Sequence, residues 1–429
     1  MKLAGDKQQR LARAEILSKE WPRVVLGRAG SFLLGVVFMA WWQGERPAVS
    51  PLEVQARGAP AVQRHNHPAN VGNAMHKPWG DFEYEELPLH GPNDLLPDTS
   101  RPLVGPRWYF SDGTREQITA LLNSLDYSAR DTAALLDPAR WEPSGKGLYL
   151  SPPPELVLKM SPATRARLYR VLANYPENSA QRNPFRFRLD GFNEWFADSG
   201  LGSEPIEMLR GLVYTNGGTL CFCDGSIAQR LFSTSDFKRL VKTLYGENTF
   251  LMRLKVTPNS DIDTILKYWA RGRQATTMQP LLEALAKVPG GGSVTIAYLL
   301  PPFARLRLYT YPNPATDPAA TRENCFWTAM NFFNENPDPQ FLNLENTRRV
   351  LEMDYLQTEK LPVYGDLIVL VDATGTPIHM CVYLADDVVF TKNGVDYMQP
   401  WVLMRIRDMK QFYVARTPVR MLVYRSKKS

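Results

Sequence analysis

The sequence predicts an α+β protein with an N-terminal transmembrane helix, a proline-rich tether and two folded domains. Three observations lead to this fold class: a long apolar segment near the N-terminus, a stretch without periodicity after it, and alternating helix and strand patterns beyond residue 105. The composition, with 44% hydrophobic and 22% charged residues, suits globular domains with more than one core. Four cysteines among 429 residues are too few for a disulfide-stapled fold.

Charge is distributed unevenly along the chain. The formal net charge is +6, and residues 1–28 supply +4 of it through seven basic and three acidic side chains. No later segment interleaves basic and aromatic residues as a nucleic-acid surface does. The sequence therefore predicts no nucleic-acid partner.

The apolar segment at residues 24–42, VVLGRAGSFLLGVVFMAWW, is interrupted only by Arg28. As a helix it would be about 28 Å long, which is close to the thickness of a bilayer core. Because basic residues precede it, the sequence predicts a cytoplasmic tail over 1–23, a single-pass membrane anchor over 24–42 and a periplasmic location for the bulk of the chain. A cleaved signal peptide is the alternative, since residues 48–50, AVS, offer small side chains at suitable positions.

Residues 43–105 are rich in proline, glycine and asparagine and keep no sustained helical or strand period. This composition is typical of a tether, so the sequence predicts an extracytoplasmic linker over this segment. His65 and His67 lie within it, but no cysteine or carboxylate cluster accompanies them. We therefore expect a solvated linker here and no metal site.

A mixed α+β domain of no recognised family is predicted over residues 106–305. Ser128 and Ser161 stand at helix-starting positions, each ahead of apolar residues at helical spacing. Phe250–Val256 alternates as a strand does. None of these patterns indicates a chemical activity.

Cys221 and Cys223 are the one possible metal-binding pair in this domain. No second ligand pair follows, and no histidine occurs between His90 and His379. On a strand the two side chains would share one face, which favours packing. We expect core cysteines, and neither a metal nor a cofactor.

The C-terminal segment contains the candidate catalytic residues. Cys325 opens an apolar helical run, CFWTAMNFF, and the amides at a helix start favour the thiolate form of a cysteine. His379 is the only histidine after residue 90, so any cysteine–histidine chemistry in the folded part must use it. The alternative is that Cys325 is a buried core cysteine near the start of an apolar helix.

The segment HMCVYLADDVVFTKNG, which begins at His379, predicts a β-hairpin. With a three-residue loop over 385–387, Asn393 lies opposite His379 and Thr391 shares the same face of the sheet. Either side chain can bond an imidazole nitrogen and fix its tautomer. Lys392 points to the other face.

The order of these features resembles the NlpC-type papain-like cysteine peptidases, which cut bacterial peptidoglycan peptides. The resemblance covers residues 306–429 and consists of a cysteine at a helix start, Gly-Asp-Leu at 365–367 before a strand, and His-x-Cys-Val-Tyr-Leu from His379. It implies a papain-like domain in which Cys325 is the nucleophile and His379 is the general base. A third polar residue orients the base in this family. Alignment with the family favours Thr391 for that role, whereas the chemistry of orienting an imidazole favours Asn393.

The function predicted from these features is that of a membrane-anchored extracytoplasmic cysteine hydrolase. The thiolate would attack a peptide bond of a cell-wall stem peptide and pass through an acyl-enzyme, with peptidoglycan peptide as substrate and no cofactor. The alternative is a non-catalytic envelope scaffold or binding protein whose papain-like domain is a pseudo-enzyme. Bulky Phe326 and Trp327 follow the cysteine where the family usually has a small residue, which is a departure from its pattern.

Overall fold

Two separate hydrophobic cores organise the computed structural model of the protein. One core is built from buried residues between Trp108 and Leu244, and the other from buried residues between Met252 and Tyr424. The folded part is mixed α+β. The structure describes residues 77–111, 115–270, 275–315, 317–414 and 419–428.

The strands of the described residues pair in an antiparallel manner throughout. In chain order they are β1 (Asp81–Leu89), β2 (Trp108–Ser111), β3 (Trp141–Ser144), β4 (Gly147–Leu150), β5 (Phe185–Arg188), β6 (Tyr214–Asn216), β7 (Thr219–Phe222), β8 (Glu247–Val256), β9 (Gly292–Thr295), β10 (Tyr355–Thr358), β11 (Leu367–Val371), β12 (Pro377–Ala385), β13 (Val388–Lys392), β14 (Trp401–Arg405) and β15 (Arg420–Ser426). They form three small sheets, ordered β1-β8-β9, β2-β4-β3 and β5-β7-β6, and one six-stranded sheet, ordered β10-β15-β11-β12-β13-β14.

The α-helices of the described residues are mostly short. In chain order they are α1 (Arg115–Asn123), α2 (Ala129–Leu135), α3 (Pro154–Leu158), α4 (Pro162–Leu172), α5 (Ser179–Arg182), α6 (Phe192–Phe196), α7 (Ser203–Leu212), α8 (Gly225–Leu231), α9 (Thr234–Leu244), α10 (Ile262–Trp269), α11 (Ala275–Ala286), α12 (Pro302–Arg307), α13 (Cys325–Met330), α14 (Leu344–Asp354) and α15 (Ile406–Val414). The serines predicted to start α2 and α4 are their N-caps, because Ser128 and Ser161 each accept a hydrogen bond from the backbone N–H three residues on.

The first core contains a buried ion pair. Arg165 lies in α4 and its Nε is 2.9 Å from Asp224 Oδ2, with both side chains excluded from solvent. The guanidinium also donates to three backbone carbonyls, and the Tyr169 hydroxyl donates to Asp224 Oδ1 at 2.6 Å. Every charge of this group is therefore compensated, which a buried ion pair requires.

The second core runs across the domain boundary predicted at residues 305 and 306. It combines Met252 and Trp269 from before that position with Tyr364 and Val382 from after it. Strand β8 and helices α10 to α12 thus pack with the C-terminal sheet.

The predicted transmembrane helix over 24–42 and the basic tail over 1–23 lie outside the described residues. Among the residues that are described, no helix is long and apolar enough to cross a membrane. The fold class with a membrane-spanning helix is therefore corrected to a mixed α+β fold with several antiparallel sheets.

A strand occurs within the segment 43–105 that the sequence predicted to be an unstructured linker. Strand β1 pairs with β8 over its whole length. Its outer face is acidic, and the sequence pattern did not predict a strand there. In the structure Glu83 forms an ion pair with Lys255, and Glu85 forms one with Arg253, on the adjacent strand β8. Histidines 65, 67 and 76 lie outside the described residues.

The six-stranded sheet has a helix on each face. Helix α13 packs on the face that carries Met380 and Val382, as part of the second core. Residues from α15 pack on the other face, against Cys381 and Tyr383, in a smaller apolar cluster. Alternate residues of β12 therefore meet different helices.

The loop of the β12–β13 hairpin contains two residues, Asp386 and Asp387, and not three as the sequence predicted. Both have positive φ angles, 49° and 68°, which suit a tight turn between twisted strands. The pairing shifts by one residue after Tyr383, so a bulge restores the predicted register in which Val382 pairs with Phe390.

Candidate functional site

Cys325 is the first residue of α13, as the sequence predicts. The side chain of Asn324 caps this helix by accepting a hydrogen bond from the Trp327 N–H at 2.9 Å. The thiol itself is buried, with only 5% of the residue exposed. Burial raises the pKa of the Cys325 thiol to about 11, although the Met380 backbone N–H donates to the sulfur and favours the thiolate. At neutral pH the cysteine is a neutral thiol.

His379 lies on β12 and is completely buried. Its Nε2 is 3.0 Å from Thr391 Oγ1, and its Nδ1 is 2.8 Å from the hydroxyl of Tyr413 in α15. The imidazole also stacks on the Tyr413 ring, with 4.5 Å between the ring centroids. Burial lowers the pKa of His379 to about 3, so the ring is neutral.

The hydrogen-bond directions around the imidazole follow from counting donors. Thr391 has one hydroxyl proton and donates it to Asn393 Oδ1 at 3.3 Å. With that proton used, Thr391 accepts from the Nε2–H of His379 and Nδ1 accepts from the Tyr413 hydroxyl, a tautomer assigned from the hydrogen-bond network. The chain Tyr413, His379, Thr391, Asn393 is satisfied with every group neutral.

Three of the four predicted site residues thus lie together, and the cysteine is not bonded to them. His379 contacts Thr391, and Asn393 reaches the group through Thr391. Within the described ranges no hydrogen bond joins Cys325 to His379. The reason is the strand alternation: Met380 packs with the cysteine, whereas the side chain of the preceding residue belongs to the face covered by α15.

Lys392 is a buried cation that reasoning from the sequence did not place near the thiol. It lies on the cysteine side of the sheet, where its Nζ donates to the carbonyls of Gly394 at 3.1 Å and Asp396 at 2.8 Å. Burial lowers the pKa of Lys392 to about 8, opposed by the nearby Asp396, Cys325 and Glu323 groups. Strand alternation predicted its face, but not its burial.

The Gly-Asp-Leu motif at 365–367 has a structural role. Gly365 adopts a φ of 84°, which favours glycine, and Asp366 is fully buried at the start of β11. Its carboxylate accepts from the Arg425 guanidinium at 2.6 Å and from the Val363 N–H at 2.9 Å. The motif therefore joins β11 to β15.

Tyr413 is the site residue that the sequence did not reveal. It occurs in the short run IRDMKQFYV, which shows nothing beyond the spacing of an amphipathic helix. Its position against His379 depends on the packing of α15 across the sheet, which no local pattern specifies. Cys221 and Cys223 are free, and no group of three or more metal-binding side chains occurs in the described part.

Comparison with known proteins finds no family model, no curated protein and no solved structure that matches this chain. The similarity to NlpC-type peptidases therefore stays a prediction from sequence motifs.

Proposed function

We propose that the C-terminal part of this chain is non-catalytic, and that the protein acts as a binding or scaffold protein. The observation that supports this proposal is the occupancy of His379: both ring nitrogens have hydrogen-bond partners, and neither partner is Cys325. A cysteine hydrolase needs an imidazole nitrogen free to take the thiol proton. Here Tyr413 occupies that nitrogen.

The charge states support the same proposal. Proton transfer from Cys325 to His379 would create a thiolate and an imidazolium in a buried environment. The thiol has a pKa of about 11 and the imidazole a pKa of about 3. Each pKa unit corresponds to about 1.4 kcal/mol, so this gap opposes the ion pair that a cysteine peptidase uses.

Thiol alkylation tests the proposal. The intact protein is treated with iodoacetamide at pH 7.5, and the labelling of each cysteine is followed by peptide mass spectrometry. We expect Cys325 to react as slowly as Cys381, a buried cysteine on β12 that serves as an internal control. Labelling of Cys325 many times faster than that of Cys381 would refute the non-catalytic proposal.

A second candidate function is the predicted cysteine hydrolase acting on cell-wall peptides. One observation favours it: Cys325 is the first residue of α13, and backbone N–H groups there favour its thiolate form against the effect of burial. The extracytoplasmic location and the peptidoglycan substrate stay predictions from the sequence.

The two candidates are separated by the variant Tyr413→Phe, which frees Nδ1 but keeps the stacked ring. If the hydrolase candidate is correct, the variant releases soluble peptides from purified peptidoglycan, and the additional change Cys325→Ala abolishes the release. Under the non-catalytic proposal, neither wild type nor variant releases peptide.

A further inference from the structure

A cleft with a volume of about 130 Å³ lies between the first core and the C-terminal sheet. Aromatic side chains line both sides, Phe187 and Trp195 on one and Phe250 and Phe412 on the other. Whole small-molecule ligands usually occupy pockets of roughly 300–1,000 Å³. This cleft therefore fits a single small moiety.

Glu247, the first residue of β8, lines the cleft and is 5% exposed. Within the described part of the chain its carboxyl group has no hydrogen bond and no ion pair, whereas buried polar groups are normally satisfied. The hydroxyls of Tyr311 and Tyr413 lie close enough to interact with it electrostatically, but they donate to Tyr245 O and to His379. Burial raises the pKa of Glu247 to about 8.

Arg186 of β5 lines the same cleft. Its guanidinium lies near Thr219 Oγ1 at 3.5 Å and Cys221 Sγ at 3.6 Å, and it forms no ion pair with a carboxylate among the residues described. Two other arginines of the cleft do form one: Arg188 pairs with Asp190 at 3.2 Å, and Arg405 pairs with Asp386 at 3.6 Å. Among the lining residues described, Glu247 is thus the buried carboxyl group without a charged partner, and Arg186 is the guanidinium without one.

We propose that this cleft binds a small zwitterion, namely an α-amino acid or the corresponding end of a peptide, with its ammonium group at Glu247 and its carboxylate at Arg186. Arg186 supplies the positive charge that complements the carboxylate, Glu247 supplies the negative charge once it has ionised, and the aromatic walls suit a small aliphatic side chain. When the ammonium binds, the protonated Glu247 ionises and releases its proton to solvent. The site is separate from Cys325, so the proposal holds whether or not that cysteine is catalytic.

The charged groups that face Glu247 also shape its response to the ligand. Glu86, Glu194 and Asp408 line the cleft and carry negative charge, while Arg405 is already paired. These carboxylates add to the attraction for an ammonium group. They disfavour a simple anion, whose only unpaired partner would be Arg186.

Calorimetric titration of the full-length protein at pH 7 tests the proposal with racemic alanine and racemic leucine as probes. Ethylamine and propionate, each carrying only one of the two charges, are the matched comparisons. We expect at least one amino acid to bind saturably and more tightly than both comparison compounds. We also expect the heat to vary with the ionisation enthalpy of the buffer, because Glu247 releases a proton.

Two variants locate the binding site. Glu247→Gln and Arg186→Gln should each raise the Kd about 10–100-fold, the range for losing a charge-assisted hydrogen bond, and Glu247→Gln should also remove the buffer dependence. Glu335→Gln, at an exposed position outside the cleft, should leave the Kd unchanged. Far-UV circular dichroism and the urea midpoint check that each variant is folded.

Three results would overturn the proposal. The first is the absence of saturable binding of both amino acids. The second is binding of ethylamine as tightly as of the amino acids, since Arg186 would then have no role. The third is an unchanged Kd in folded Glu247→Gln protein.

Discussion

At the scale of single residues, the burial of His379 makes the free energy of unfolding depend on pH. Its folded pKa of about 3 lies below the ordinary value of 6.5, so the unfolded state takes up a proton that the folded state refuses. The stability that the neutral ring contributes is therefore present above pH 6.5 and is lost as the pH falls from there towards 3.

The first prediction concerns this loss. Between pH 7 and pH 5, His379 should account for about 2 kcal/mol of lost unfolding free energy. Urea unfolding of wild type and His379→Gln at the two pH values measures this difference. His90→Gln, at an exposed histidine, is the matched control and should behave as wild type. An identical pH dependence in His379→Gln and wild type would show that the ring is not kept neutral by the fold.

Glu247 is expected to have the opposite sign. Its folded pKa is raised to about 8 from 4.5, so its contribution to stability is complete below pH 4.5 and is lost as the pH rises through 8. The second prediction is that Glu247→Gln gains stability relative to wild type as the pH rises from 5 to 8, by up to a few kcal/mol. Chemical denaturation across this range measures it, and a constant difference between the two proteins would contradict it.

Residues differ in how far the sequence could predict their surroundings. Strand alternation and the hairpin register placed Thr391 and Asn393 on the His379 face, because they depend on neighbours along two adjacent strands. The partner on the other ring nitrogen, Tyr413, could not be predicted, since it comes from a helix that packs across the sheet. The neutral state of Cys325 was also missed, because burial outweighs the helix start.

At the scale of elements, β1 couples a segment predicted to be a linker to the hairpin of the C-terminal sheet. The Tyr84 hydroxyl donates to Asp386 Oδ2 at 2.6 Å, and the Arg405 guanidinium lies 4.2 Å from the centre of the Tyr84 ring. The Tyr84 ring also packs edge-on against Phe250, with 5.5 Å between centroids. This acidic strand thus gains its order from tertiary contacts, which a sequence pattern does not contain.

The third prediction separates the parts of this contact. Tyr84→Phe removes one hydrogen bond to a carboxylate and should cost about 1 kcal/mol of unfolding free energy. Tyr84→Ala also removes the ring contacts and should cost more. Asp81→Asn, at an exposed position of the same strand, is the control and should cost little. Equal stability of Tyr84→Ala and wild type, measured by urea unfolding, would show that β1 is not held by this contact.

At the scale of the whole molecule, two cores share one chain. The sequence predicted two folded domains, but it placed their boundary at residue 305, where helix and strand patterns pause near glycines and prolines. The structure instead assigns β8 and the helices that follow it to the C-terminal core, because Met252 and Trp269 pack with Tyr364. Local breaks in a sequence mark turns, whereas the limits of a core are set by contacts between distant residues.

The fourth prediction is that the two cores unfold as separate units. Asp224→Asn breaks the buried ion pair with Arg165 and leaves the guanidinium uncompensated, which should destabilise the first core by about 3–5 kcal/mol. Because the second core contains no member of this network, amide protons of β11 to β13 should keep their protection in the variant. Hydrogen exchange measured by mass spectrometry follows both regions in one sample. Simultaneous loss of protection in β11 to β13 and in α4 would mean that contacts between the two parts, such as the hydrogen bond from the Tyr311 hydroxyl to the Tyr245 carbonyl at 3.2 Å, join the two cores into one cooperative unit.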